Sequence, residues 1–238
     1  MILGEVRRII GRRGMFWSAV LISSALVALL AVLALTQDTG GGADLLADIR
    51  GSSLVATIMV ILLGALTGSY DAVNGTMRYL VLTGVPRWRL YLNRLAGFVL
   101  AALAAIVPSL LLGFAAAAVI PARNPSDLGD HAAAAWTYLL SPIVFGLFGV
   151  AVGSLLRSNG GAIGLALSFY LGGYVLSEFV AHYVNETVAA YLLPDALSVV
   201  AFLDSGAVVP VYAAALAVVV WLTAFAVAGA WRVHHDEY

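Results

Sequence analysis

Six stretches of the chain are almost free of charged side chains, at 15–35, 52–70, 95–120, 132–156, 162–181 and 210–231. The first is 21 residues long, which as a helix rising 1.5 Å per residue covers about 31 Å, the depth of a bilayer's hydrocarbon core. A cleavable leader would carry an apolar region of only ~7–15 residues. The links between the runs, at 36–51, 71–94, 121–131, 157–161 and 182–209, hold most of the charges and much of the Gly and Pro. The pattern predicts an all-α membrane protein with six transmembrane helices in a single domain.

Segment 1–14 has a different period. Ile2, Leu3, Val6, Ile9 and Ile10 share one helical face and Glu5, Arg8 and Arg12 the other, as in an amphipathic helix lying at a membrane interface. Its arginines have a simple use in retaining the N-terminus and attracting anionic lipid. Across the chain, ten arginines fall before the first run, in the second and fourth links and in the tail, against two, Arg50 and Arg123, in the other links. The positive-inside rule then places both termini in the cytoplasm, with the inner (plasma) membrane as the expected location. In the outer link 182–209, the apolar stretches 188–193 and 196–203 flank Pro194 and Asp195 and suggest two short helices dipping into the outer leaflet. Gly64 and Gly68, Gly149 and Gly153, and Gly164, Ser168 and Gly172 recur at helix-packing spacing, for close contact within or between subunits.

Composition sharpens what the chain can do. With 62% hydrophobic and 11% charged residues and a mean hydropathy of +0.99, it carries less than half the charge of a soluble domain, roughly 25%. All twelve basic residues are arginine. Without lysine, neither a Walker-type phosphate loop nor a Schiff base can be built on this chain. The absence of cysteine removes disulfides, thiolate metal sites and thiol nucleophiles. No Gly-x-Ser-x-Gly elbow occurs, and His234, His235, Asp236 and Glu237 offer metal-ligand types with no framework around them. No catalytic residue, cofactor, metal or nucleic-acid partner is therefore expected. The alanine-rich, arginine-only usage is associated with bacterial genomes of high GC content. Glu178 is the one ionisable side chain inside a run, with His182 four residues on. Near the outer end of its span, the two read as a pair or a snorkelling group, with an outer gate as the functional alternative.

The second link carries the most information. Asp71, Asn74, Arg78 and Leu82 fall on one helical face and Val73, Met77, Leu80 and Val81 on another, before Gly84, Val85 and Pro86 interrupt the helix. The spacing predicts a short amphipathic helix over 71–83 at the cytoplasmic surface, with Asp71 and Arg78 outward. Topogenic arginines explain the charge but not the acid, the Gly-Thr pair and the break in this order. Here the chain resembles the permease subunits of the second family of ABC-type exporters, whose membrane domains have six spans. Their pattern is an acid, three residues, Gly-Thr-x-Arg, a leucine-rich turn, a proline-containing break, Arg and, seven residues later, Lys. This chain supplies Asp71, Gly75, Thr76, Arg78, Leu80, Leu82, the break from Gly84 to Pro86, Arg87 and Arg94. It departs in Asp71 for glutamate, in the displaced Pro86 and in Arg94 for lysine.

The resemblance implies half of an ATP-driven exporter. A separate ATPase subunit, carrying ATP and Mg, would push on a coupling helix with Asp71, Asn74, Gly75, Thr76, Arg78 and Arg87 as its contact residues. A second permease copy or paralogue would complete a twelve-span pathway, and aromatic-bearing spans would suit a lipophilic or amphipathic cargo. Two other classes stay open: an ion-coupled secondary transporter, and a non-transporting membrane partner in sensing or immunity.

Overall fold

The computed structural model describes residues 2–36, 42–75, 84–120, 127–201 and 207–235. Nine helices occur among them: α1 (Ile2–Ile10), α2 (Arg13–Thr36), α3 (Gly42–Val73), α4 (Arg87–Val119), α5 (Leu128–Leu156), α6 (Asn159–Tyr183), α7 (Glu186–Ala189), α8 (Leu193–Val200) and α9 (Val211–His235). Six of them, α2 to α6 and α9, are long and apolar enough to cross a membrane.

Several helices outrun the apolar runs that announced them. α3 begins ten residues before position 52 because Leu45, Leu46 and Ile49 form a fully buried stripe. Backbone hydrogen bonding does not require apolar neighbours, so a charged turn carrying Asp48 and Arg50 continues the helix beyond the lipid-matched length. The same holds at the start of α4, where Leu90, Tyr91 and Arg94 are buried before the apolar run at 95 begins. In the last link, α7 and α8 begin earlier than the apolar stretches suggested. Pro194 lies in the first turn of α8, where its missing N–H has no helical acceptor to lose.

The parallel pair α3 and α5 forms the centre of the bundle. A methyl on Gly64 would overlap the Gly146 carbonyl oxygen, one on Gly68 the Val150 carbonyl and one on Gly153 the Ala65 carbonyl, while one on Gly149 would lie 2.8 Å from Ile61 O. These glycines let two backbones touch, the close approach that small residues give in membranes. Two apolar clusters flank the seam. One joins Ile9, Val27, Ile49, Phe98, Ile106 and Tyr138 from α1 to α5; the other joins Ile61, Phe145, Tyr170, Leu197 and Val218 from α3, α5, α6, α8 and α9.

Polar side chains repair the irregular points. Beside Pro108 within α4, the Ser109 hydroxyl donates to Ile106 O at 2.7 Å and lies 2.8 Å from the Tyr138 hydroxyl. Trp136 Nε1 donates to Val200 O at 2.9 Å and Thr137 Oγ1 to Ala201 O at 2.7 Å, satisfying carbonyls at the end of α8.

Candidate functional site

α3 persists as a helix to Val73 and ends in Asn74 and Gly75, the latter at φ +66°, a left-handed conformation that glycine adopts without penalty. After residues 76–83, which lie outside the described residues, Gly84 at φ +76° and extended Pro86 lead into α4. Thr76 and Arg78, with most of the expected coupling helix, fall in that interval.

Asp71 does not face outward as the amphipathic pattern suggested. It is 1% exposed, because α3 continues through it and carries it round to the packed face of Gly64 and Gly68. Its carboxylate accepts from Arg8 Nη1 at 2.8 and 3.1 Å and pairs with Arg94 Nη2. Arg94, itself buried, also donates through Nη1 to Gly68 O at 3.3 Å. The two ends of the motif, its acid and its final basic residue, thus meet as a buried ion pair joining the end of α3 to the start of α4.

α1 completes this cluster. Glu5 pairs with Arg8 at 2.7 Å, and Gly97 on α4 admits the helix so closely that a methyl there would lie 2.6 Å from Glu5 Cβ. The Arg12 guanidinium sits 3.6 Å from the centre of the Tyr70 ring and donates to Leu66 O at 3.1 Å, combining a cation–π contact with a helix carbonyl. Burial first, then the neighbouring Arg8, lowers the Arg12 pKa from its ordinary value, while Tyr70 and Asp71 oppose the shift. Arg8 and Arg12 therefore hold neighbouring helices together, which amphipathicity alone did not reveal. Their i, i+4 spacing on the polar face of α1 was the available signal.

The remaining candidates lie apart from this cluster. Arg87, at the start of α4, donates to His234 O at 2.9 Å near the end of α9, a cation at a helix C-terminus. Asn74 caps its own helix, donating from Nδ2 to Tyr70 O at 2.9 Å. Ser69 donates to Asn159 Oδ1 at 2.7 Å, so the α5–α6 turn reaches the same end of the bundle as Asp71. Arg50 Nη2 donates to Asp130 O at 3.2 Å at the opposite end.

Glu178 and His182 are exposed on α6, and among the described residues no hydrogen bond or ion pair joins them, contrary to the pairing expected from their spacing. Glu178 borders two hollows. One is lined by Tyr174, Phe179 and Tyr183 and the other by Glu186, Asp195 and Ser198.

These features define a class: a multi-pass helical membrane protein with an arginine-rich polar cluster at one end of its bundle. No family model matches the chain, and no curated protein matches it either.

Proposed function

We propose that this protein is the permease subunit of an ATP-driven ABC exporter, lying in the plasma membrane with both termini in the cytoplasm. The observation that carries the proposal is the buried pairing of Asp71 with Arg94. The spacing shared with exporter permeases gains a physical reason from it, because the pair clamps the end of α3 to the start of α4 on either side of the motif. That segment, with Thr76, Arg78 and the flanking Gly75 and Arg87, is where a separate ATPase subunit carrying ATP and Mg would dock. Asp71 and Asn74 act as positioning residues beneath it. α1 serves as an interfacial helix that braces the clamp through Arg8 and Arg12.

A second permease, identical or paralogous, completes the pathway for a lipophilic or amphipathic cargo. The open side of α6 supports this, since nothing lies within 4 Å of a methyl built on Gly164 or Gly172, whereas Gly64, Gly68, Gly149 and Gly153 of α3 and α5 are consumed within the subunit. Glu178 and His182, near the outer end of that helix, are the candidate outer gate.

The test is purification from native membranes. The expected result is a complex containing a subunit with ATP-hydrolysing motifs, whose vanadate-sensitive hydrolysis the chain alone does not show. ATPase activity of the isolated chain, or ion-driven and vanadate-insensitive flux in vesicles, would overturn the proposal.

A further inference from the structure

A second feature lies away from the clamp and is independent of any coupling to ATP. Between α4, α5 and α9 runs a groove of about 450 Å³, lined by Trp88, Leu92, Phe148, Phe225, Ala226 and Ala230 among others, with no charged residue in its lining. From Leu222 to Ala230 it follows α9 for about 12 Å at 1.5 Å per residue, most of the depth of one leaflet. Tyr91 lines the end of it nearest the start of α4 and packs against Gly229 and Val233. The Tyr91 side chain is 1% exposed, and its hydroxyl has no hydrogen-bond partner among the described residues. Arg87 and Arg89 open α4 at this end of the groove, and Arg232 sits in the last turn of α9. Arg89 is exposed.

We infer that this groove is a binding site for an anionic phospholipid of the leaflet at the arginine-rich end, one acyl chain lying along α9 and its phosphate meeting Arg89. Two observations converge. The lining is apolar over a length that suits a chain. The cationic positions stand at one end only, where a headgroup of opposite charge belongs.

The test uses Trp88 as the reporter. Trp17, Trp136, Trp221 and Trp231 are replaced by Phe, and the protein is placed in phosphatidylcholine vesicles containing a minor fraction of lipid brominated in its acyl chains. Brominated phosphatidylglycerol should quench Trp88 more than brominated phosphatidylcholine at equal fraction, corresponding to about fivefold enrichment for one arginine–phosphate contact. Arg89→Glu and the groove-filling Ala226→Phe should each abolish the preference. Ala224→Phe, on an exposed position of the same helix, should leave it intact and controls for folding. Glycerol phosphate in solution should not compete, because the chain is part of the ligand.

Equal quenching by the two lipids overturns the inference. So does a preference that Arg89→Glu removes but Ala226→Phe does not, which would be general surface attraction. Competition by glycerol phosphate would reduce the site to an anion site, and absence of quenching by either lipid would place protein in the groove. Either result overturns the inference. Neither bears on ATP coupling.

Discussion

At the scale of single residues, Asp71 is the position on which most depends. It is a buried carboxylate among the guanidinium groups of Arg8 and Arg94, so its removal leaves buried positive charge without a counter-charge. Asp71→Asn should destabilise the protein by about 3–5 kcal/mol, measured as loss of resistance to denaturant in detergent. Arg8→Ala should be milder, since Arg8 is partly exposed and Arg94 still holds the acid. Equal, small effects of the two changes would show that the carboxylate is reached by water. The glycines allow an equally direct comparison. Gly68→Ala drives a methyl into the Val150 carbonyl, a backbone atom that cannot rotate away, and should cost about 1–3 kcal/mol. Gly164→Ala meets open space and should leave the isolated subunit unchanged, while weakening self-association if that face meets a second permease.

At the scale of elements, α1 and the last turns of α3 form one mechanical unit. Amphipathicity placed Arg12 on a lipid-facing task and Asp71 on a partner-facing one, with the two independent. The structure instead links Arg8 to Asp71 and Arg12 to Tyr70, so a change in α1 should be felt at the end of α3, beside the proposed docking segment. Under the proposed function, Arg78→Glu should leave membrane insertion intact and weaken affinity for the proposed ATPase subunit, by about 2–5 kcal/mol if the charge is buried in the interface. Arg12→Glu should weaken it too, through a disordered clamp, and should also lower the melting temperature of the isolated subunit, which Arg78→Glu should not. Binding measured alongside thermal unfolding separates a contact residue from a positioning one. If neither change alters affinity, the docking surface lies elsewhere.

At the scale of the whole molecule, the described arginines other than Arg50 belong to the ends of helices that meet around Asp71, Ser69–Asn159 and Arg87–His234. Because the bundle gathers them at one end, their topogenic effect is concerted. A cysteine introduced at Asn185 should react with an impermeant reagent in intact cells, and one at Ser158 only after lysis. The reverse pattern would invert the orientation, and reaction of both in intact cells would refute a six-span topology.

The six membrane-length helices were legible from sequence because hydrocarbon imposes a length and a composition that few other environments demand. The break at Gly84 to Pro86 was legible for a local reason as well, since proline and glycine act on their own backbone. Helix ends were less so: α3 starts at Gly42 and α4 at Arg87 because buried turns extend the helices past the lipid, and burial is a property of neighbours. The direction in which Asp71 points was likewise hidden. A helical wheel gives its face relative to Asn74 and Arg78, but only the packing of α3 on α4 and α5 decides which face is inside. The same limit applies to the small residues, which recur every four positions as Gly64 and Gly68 in α3 and as Gly164, Ser168 and Gly172 in α6, although the first glycines are closed by a neighbouring backbone and the second are open. The sequence by itself thus determined the solvent of each segment and the number of crossings, which depend on local free energies of transfer. Tertiary structure alone decided which arginine meets which acid, which small residues touch and where a groove remains, because those depend on residues brought together from distant parts of the chain.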